Sequence, residues 1–202
     1  KDLAEAGISD GFDGQQSECS QQQLALLENE VFLPRAKRRA LFLLEKKEYT
    51  EKELRKKLQA DGYPKTTVEA VTEYVKELHY VNDRSFAERY AFSLLSRHSE
   101  RETVQKMQQK GLDKELIKEA LVAAKERYKE ELSYESENRE GSTEEISLEQ
   151  EAIRTFLRKK GYRPELTDEE KRKKLVMSLY RKGFLLSDIR AVLGEFEQEY
   201  DS

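Results

Sequence analysis

Apolar residues recur along this chain at the three- and four-residue spacing of amphipathic helices, and three of these stripes begin after a glycine. Gly62, Gly111 and Gly183 each end one helical pattern and precede another. Apolar side chains stand six, nine and thirteen residues beyond each glycine, namely Val68, Val71 and Val75, then Ile117, Ala120 and Ala124, then Ile189, Val192 and Phe196. This self-similarity predicts a tandem array of related helical units.

Each of the three glycines is expected at the C′ position of a Schellman motif, where the backbone is left-handed and glycine has no Cβ to clash. The motif packs the residue after the glycine onto the residue five positions before it. Gly161 stands in a similar stretch from Leu157 to Tyr162, but no apolar stripe follows it, so it is predicted to be only a helix stop. The predicted closing pairs of the three units are Tyr63 on Leu58, Leu112 on Met107 and Phe184 on Leu179.

Capping boxes indicate where the helices begin, because a hydroxyl at the N-cap and a Glu or Gln at N3 satisfy each other's backbone amides. Leading helices of the three units are expected near 35–47, 83–97 and 147–160. Ser147 with Gln150 opens the last of these. The middle helices are predicted to begin at Thr50 with Glu53, Ser99 with Glu102, and Thr167 with Glu170.

These patterns predict an all-α protein, an elongated and curved array of three tandem three-helix units with about nine helices. Strand patterns are nearly absent, and a short stretch around 30–33 is the exception. The expected division is an acidic, weakly ordered N-terminal segment at 1–32, a first unit at 33–81, a second unit at 82–132, an acidic linker at 133–146 and a third unit at 147–202.

Charge is segregated along the chain, so the net charge of −4 conceals strongly acidic and strongly basic regions. Residues 1–34 carry one Lys against seven acidic residues, a net −6, and residues 130–151 carry one Arg against nine, a net −8. The rest of the chain therefore carries +10. A basic folded body indicates a polyanion or an acidic protein surface as the partner, although each single Lys is more often part of a solvated face.

The helical period predicts which cations face outward. Leu54 and Leu58 define the buried side of the first middle helix, and Leu175, Val176 and Leu179 define that of the third. The cations turned away from these residues, with those at neighbouring helix ends, form the candidate partner-binding set: Lys52, Lys56, Arg84, Arg97, Arg101, Lys173, Lys174, Arg181 and Lys182.

The composition offers little material for catalysis, which needs a cluster of groups with tuned pKa values. The two histidines, His79 and His98, fall at predicted helix ends or turns, and Cys19 has no C-x-x-C partner. Glycine fingerprints for phosphate binding are absent, and Asp83 is predicted to be an N-cap rather than a metal ligand. Most Tyr and Phe residues fall on apolar stripes, which favours a core over a base-stacking surface. We therefore predict no enzyme, no cofactor and no metal.

Compartment and topology follow from the same composition. A single cysteine excludes an internal disulfide and fits a reducing cytoplasm. The longest apolar run is far too short to cross a bilayer. We expect a cytoplasmic protein.

Four stretches of the chain carry a family resemblance: LPRAKRRALFLLEKKEYTEKELRKKL (33–58), YVNDRSFAERY (80–90), QKMQQKGLDKELIKEAL (105–121) and RKGFLLSDIRAVL (181–193). They resemble the RecX family, whose members regulate the RecA recombinase. The resemblance covers roughly residues 33–200, and its most specific part is Tyr80-Val-Asn-Asp83 leading into Phe86-Ala87. The turn at Ser96 to Ser99 departs from the family, since many relatives have a glycine there, and the acidic linker before the third unit is long.

The resemblance implies a monomer that sits in the helical groove of a RecA filament, bridges protomers, inhibits ATP hydrolysis and strand exchange, and promotes filament disassembly. It thereby implies a role in recombination, DNA repair and the SOS response. Two alternatives stay open on the residues alone. One is a sequence-nonspecific DNA-binding helical protein that acts by competition, and the other is a helical-repeat scaffold for another protein. The basic faces suit recombinase or DNA equally well.

The left-handed caps generate the first prediction. Gly111→Val places a β-branched residue at a position expected to need φ > 0, and such strain costs about 1 to 3 kcal/mol of folding free energy. The variant should therefore melt at a lower temperature than the wild type in a circular dichroism scan. An unchanged melting temperature would remove Gly111 from the C′ position.

Overall fold

The computed structural model describes residues 20–137, 147–164 and 167–198, and within them the chain is all-α without a strand. The helices fall into two compact units that meet at Asp83 and Arg84. In order they are α1 (Gln21–Leu26), a π-helical stretch (Leu27–Phe32), α2 (Leu33–Lys46), α3 (Glu51–Ala60), α4 (Lys65–Glu77), α5 (Asp83–Leu95), α6 (Glu100–Gln109), α7 (Lys114–Glu137), α8 (Leu148–Lys160), α9 (Glu169–Arg181) and α10 (Leu186–Gln198).

The first unit is built on the helices α2, α3 and α4. Ala36 and Ala40 on α2 are fully buried, and such small side chains let two helix backbones approach closely. The predicted apolar stripes supply the rest of the core, since the leucines of α3 and the valines of α4 are all fully buried: Leu54, Leu58, Val68, Val71 and Val75. Burying a side chain of this size contributes about 1.5 to 3 kcal/mol, so this cluster provides most of the unit's stability.

The helical structure begins earlier than the sequence analysis predicts. Residues 21–32 belong to α1 and the π-helical stretch, and the strand expected around 30–33 is wrong, because that stretch is helical. Pro34 lacks an N–H and its ring crowds the carbonyl four residues earlier, which accounts for the interrupted α-helical bonding just before it. Leu27 is buried, and the Thr66 hydroxyl donates to the Glu28 carboxylate at 2.9 Å. These contacts hold the added turns against α4.

The second unit contains two further three-helix domains, each with its own core. The helices α5, α6 and α7 enclose Ala87, Ala91, Leu95, Met107, Ile117 and Ala124. The helices α8, α9 and α10 enclose Ile153, Leu157, Leu179, Phe184, Ile189 and Val192. The helix α7 continues to Glu137, so the first residues of the predicted acidic linker are helical, while residues 138–146 lie outside the described chain.

The predicted Schellman motifs are confirmed in all three domains. Gly62, Gly111 and Gly183 have φ values of +90°, +88° and +98°. The backbone N–H of the residue after each glycine donates to the carbonyl five positions before it, from Tyr63 to Leu58 at 3.3 Å, from Leu112 to Met107 at 3.4 Å and from Phe184 to Leu179 at 3.3 Å. Gly161 closes α8 in the same way, with φ of +63° and a 3.0 Å bond from Tyr162 to Leu157.

The capping boxes are confirmed only in part. Thr50 and Glu53 form both halves of the predicted box at the start of α3. The Ser99 hydroxyl accepts from the backbone N–H of Glu102, as one half of a box requires. The Glu102 carboxylate, however, lies 3.1 Å from Nδ1 of His98, to which it can pair when the imidazole is protonated.

The cap predicted at Thr167 is wrong, and the capping box predicted at Ser147 does not form, although Ser147 is the N-cap residue of α8 as predicted. The N-cap of α9 is Asp168 rather than Thr167, and its carboxylate accepts from the Lys171 backbone N–H at 2.7 Å. A charged acceptor at a helix N-terminus forms the stronger bond, which explains the one-residue shift. The Ser147 side chain makes no capping bond, and Gln150 instead donates to Asp188 on α10 at 3.2 Å.

One left-handed position, His79, is not a glycine and was therefore not predicted. His79 follows α4 with φ of +58°, and the Tyr80 N–H donates to the Val75 carbonyl at 2.9 Å. The end of α4 is therefore a Schellman motif with histidine at C′. Left-handed geometry costs a residue with a Cβ roughly 1 to 2 kcal/mol.

We predict that His79→Gly stabilises the protein by about 0.5 to 1 kcal/mol. Glycine relieves the left-handed strain, and its greater freedom in the unfolded chain offsets only part of the gain. Urea unfolding followed by circular dichroism measures the change. The matched control is Gly62→Ala, which introduces a Cβ at φ of +90° in open space and should destabilise by about 1 kcal/mol. A less stable His79→Gly variant would contradict the explanation.

Candidate partner-binding surfaces

The first candidate surface is the outward face of α3. Lys52 and Lys56 are exposed on the side opposite Leu54 and Leu58, as predicted. Neither lysine forms an ion pair with any residue in the described part of the chain. This face therefore presents two cations whose charge is not offset locally.

Three other cations of the first unit are paired with carboxylates. Arg39 Nε lies 2.8 Å from Asp61, Lys57 lies 3.4 Å from the same carboxylate, and Arg55 pairs with Glu51 at 2.9 Å. The hydrogen bond from Arg39 holds the pKa of Asp61 below its usual value, so the carboxylate stays ionised over the physiological range. The positive potential of the α3 face is thus carried by Lys52 and Lys56.

The second candidate surface is the outward face of α9, where the structure changes the electrostatic expectation. Lys173 pairs with Glu169 at 2.6 Å and Lys174 pairs with Glu170 at 2.7 Å, each one helical turn away. The two lysines were predicted to face outward, but their pairing with Glu169 and Glu170 was not predicted, although the i, i+4 spacing is visible in the sequence. Arg181 is exposed and forms no ion pair within the described residues.

Apolar side chains occupy the same face of α9. Met177 and Tyr180 are 48% and 52% exposed, and they stand four and seven residues after Lys173. Leu185, in the turn that follows the helix, is 61% exposed. Aromatic residues, Met and Arg are enriched in protein interfaces relative to the rest of the surface, whereas Lys is depleted. The face therefore has the composition of a protein-binding surface more than that of a purely basic one.

The remaining predicted cations lie apart from these faces. Arg84 on α5 pairs with Glu88 at 3.5 Å and with Glu119 at 3.6 Å. Arg97 is exposed in the turn between α5 and α6. Arg101 and Lys182 lie where the second and third domains contact each other. The structure thus does not assemble the predicted set into one site.

The contact between the second and third domains centres on the start of α6. The Ser99 hydroxyl, which caps α6, also donates to the carbonyl of Lys182 at the end of α9. A Cβ added to Gly183 would lie 2.9 Å from Cβ of Arg101 and 3.1 Å from the Ser99 hydroxyl. Gly183 is therefore required both by its left-handed backbone and by the close approach of α6. We call this contact the joint.

Side chains extend the joint on both sides. Lys182 Nζ lies 3.6 Å from Glu102 and 5.6 Å from the centre of the Phe156 ring, so this predicted cation has partners inside the protein. Leu148 packs against the core of the second domain. The next residue, Glu149, accepts from the Glu100 N–H at 3.4 Å.

The carboxyl of Glu149 is electrostatically unusual. Its partial burial raises its pKa, and the nearby carboxylates of Asp188 and Glu100 add to the increase. Lys125, which lies 2.6 Å from Glu100, works in the opposite direction. Burial thus disfavours the charged form of Glu149, which lies against the start of α6 at the joint.

The part of the chain that the structure describes contains neither a metal-binding cluster nor a membrane-spanning helix. It holds no group of three or more His, Cys, Asp or Glu residues placed to bind a metal ion. Its helices include none long and apolar enough to cross a membrane. Cys19 lies outside the described residues.

Comparison with protein families identifies the three domains. Models described as the first, second and third three-helix domains of RecX match residues 36–74, 82–121 and 148–193. The chain belongs to the RecX family. The matched segments correspond to α2–α4, α5–α7 and α8–α10, so the family's domain division coincides with the observed cores.

Curated RecX relatives extend the similarity over most of the chain. Regulatory protein RecX of Clostridium beijerinckii is 27% identical over 162 residues, which cover 76% of this chain and 74% of that protein. Regulatory protein RecX of Clostridium tetani is 27% identical over 182 residues, which cover 88% of this chain and 74% of that protein. A regulatory role for this chain therefore follows from its RecX membership.

Solved RecX structures share the fold. One matches with a TM-score of 0.58 at 18% identity and covers 95% of this chain and 84% of its own. RecX from Lactobacillus salivarius matches with a TM-score of 0.55 at 18% identity and covers 82% of this chain and 97% of its own. The predicted all-α class built from three three-helix domains is confirmed.

The joint generates a prediction about Gly183. Gly183→Ala should destabilise the second unit by at least about 1 kcal/mol more than Gly161→Ala, measured by urea unfolding. Both variants carry left-handed strain, but only the Gly183 Cβ meets another residue near its backbone, and overpacking typically costs about 1 to 3 kcal/mol. The backbone amides at the start of α6 should also exchange hydrogen faster in Gly183→Ala alone. Equal costs for the two variants would contradict the close approach at the joint.

Proposed function

We propose that this chain binds RecA recombinase filaments, inhibits their ATP hydrolysis and strand exchange, and promotes their disassembly. The family resemblance suggests this partner, and the observation that carries the proposal is the mixed face of α9. There Met177 and Tyr180 are half exposed beside Arg181 and two lysines. A protein partner offers both carboxylates and apolar contacts, whereas the DNA backbone offers only phosphate.

The ion pairs on α9 limit how much Lys173 and Lys174 can contribute to the affinity for a partner. Lys173 and Lys174 are each held by a glutamate in the free protein, so binding exchanges one carboxylate partner for another and gains little from these charges alone. The net contribution to binding is then expected from Arg181 and the apolar side chains. Arginine, tyrosine and tryptophan dominate the energetics of protein interfaces.

Competition for DNA remains the second candidate function, and the α3 face favours it. Lys52 and Lys56 have no ion pair in the described chain, and an unpaired lysine is the usual partner of a phosphate. DNA-stimulated RecA ATPase with this protein titrated in separates the two functions. Inhibition at amounts well below one per RecA protomer, with DNA in excess, supports filament binding. Inhibition that disappears when DNA is raised supports competition.

We predict that the triple variant Lys173→Glu, Lys174→Glu and Arg181→Glu loses inhibition of the RecA ATPase while it remains folded. The reversed lysines would face Glu169 and Glu170, which costs about 0.2 to 0.5 kcal/mol per repelling pair, so the melting temperature should fall only slightly. Truncating a partnered charge in a complex costs several times more. Full inhibition by the folded triple variant would exclude this face.

Two further variants separate protein contact from DNA contact. Met177→Ser with Tyr180→Ser removes only the apolar part of the face, and it should weaken inhibition while leaving the affinity for free single-stranded DNA unchanged. Lys52→Glu with Lys56→Glu reverses two charges on α3, and it should reduce DNA affinity. Parallel loss of inhibition and DNA affinity in every variant, in proportion to the charge removed, would instead favour competition.

A further inference from the structure

A groove runs along the second domain between α6 and α7, and its Glu100 and Lys125 end lies beside the joint. Its volume is about 320 Å³, at the lower end of the range of about 300 to 1,000 Å³ that is usual for binding clefts. Three residues of α6 and six of α7 line it: Glu100, Val104, Gln108, Lys114, Ile117, Lys118, Leu121, Val122 and Lys125. None of the candidate cations identified from the sequence lines it.

The middle of the groove is aliphatic. Ile117 and Leu121 belong to the domain core and are only 3% and 6% exposed, so they close the floor of the groove. Val104 is partly buried against this core, and Val122 at the edge is 51% exposed. The apolar area that an apolar side chain of a partner would cover is therefore supplied mainly by the two valines.

The edges of the groove carry a positive charge. Lys114 and Lys118 are exposed and form no ion pair with any described residue. Lys125 and Glu100 lie 2.6 Å apart and offset each other. Two unpaired cations therefore flank the aliphatic floor, and charge complementarity selects an acidic occupant.

The spacing of the lining residues sets the form of the occupant. Lys114 and Lys125 are eleven residues apart on α7, which corresponds to about 16 Å at about 1.5 Å per residue. The lining residues as a whole extend over that length, which matches about three turns of a helix, and the aliphatic ones of α7 lie in its middle, from Ile117 to Val122. An amphipathic helix that lays its apolar face into such a groove is a recurrent mode of peptide recognition.

Nucleic acid fits the groove less well than a protein segment. Single-stranded nucleic acid is bound by cations together with aromatic rings on which bases stack, and none of the nine lining residues is aromatic. A phosphate backbone would engage the lysines but would leave the aliphatic floor and Val122 in water. The observations thus favour a protein partner.

We propose that the groove between α6 and α7 binds an acidic amphipathic segment of another protein, with the segment's apolar side chains on the Ile117 and Leu121 floor and its carboxylates on Lys114 and Lys118. This site is separate from the α9 face and does not depend on the proposed action on RecA. It gives the chain a second means of contacting a partner protein.

The test uses the full chain and a defined peptide. The probe is a fluorescein-labelled twelve-residue peptide with Leu at positions 2, 5, 6 and 9 and Glu or Ala elsewhere, titrated with protein and followed by fluorescence anisotropy. The probe should bind saturably. Two control peptides, one with every Leu replaced by Ser and one with every Glu replaced by Lys, should bind at least tenfold more weakly.

Protein variants place the binding in the groove. Lys114→Glu with Lys118→Glu, and separately Val122→Ser, should each weaken binding of the probe at least tenfold, with circular dichroism unchanged. The matched control, Lys52→Glu with Lys56→Glu, reverses the same number of charges on α3 and should change the affinity less than twofold.

Three outcomes would overturn the proposal. They are no saturable binding of the probe, equal binding of the Leu-to-Ser peptide, and equal loss of affinity in the α3 control. The same variants are also titrated with a fluorescein-labelled 20-nucleotide single strand. Loss of oligonucleotide affinity in the groove variants without loss of probe affinity would assign the groove to nucleic acid and reject the protein segment.

Discussion

Left-handed closure of helix ends is the constraint on which the rest of this structure depends. Each three-helix domain must reverse the chain between its middle and last helices within a few residues, and the reversal needs a residue with positive φ at the end of the middle helix. Glycine meets this need without strain in each domain, and the following side chain closes onto the helix it has just left. The closure buries Phe184 against Leu179 and so joins the turn to the core. The same residues thus reverse the chain and complete the core.

The same constraint explains which parts of the fold were predictable. Glycines and apolar spacing are local features, so the three domains and their closing pairs were predicted from the chain. His79 was missed because histidine adopts left-handed geometry far less often than glycine, so the residue type alone does not predict a cap there. The cap at Asp168 and the helical turns at Leu27 depended on competition between neighbouring groups, or on contacts with distant residues such as Thr66 and Glu28. The spacing of residues in the sequence does not show which of several neighbouring groups will form a cap or a long-range contact.

The candidate surfaces show a similar limit. Outward orientation of Lys52, Lys56, Lys173 and Lys174 was predictable from the helical period, and the structure confirms that they are exposed. Their effective charge was not predictable, since it depends on whether a carboxylate lies one turn away in a suitable rotamer. Exposed ion pairs contribute little stability, but they decide how much positive potential a partner meets. The groove between α6 and α7 was missed altogether, because a concave aliphatic surface has the same sequence pattern as a core.

The Ser99 side chain links the second and third domains through a hydroxyl that already caps a helix. A hydroxyl has one donor and two acceptor sites, so the residue that caps α6 retains its hydrogen for the carbonyl of Lys182, the C-cap residue of α9. Both helix ends have backbone groups without intrahelical partners, and a single buried side chain satisfies one from each. The turn from Ser96 to Ser99 therefore carries a bond to the third domain and fixes a defined contact between the two domains. A contact of this kind preorganises the surfaces on either side of it, and a preorganised surface loses less conformational entropy on binding.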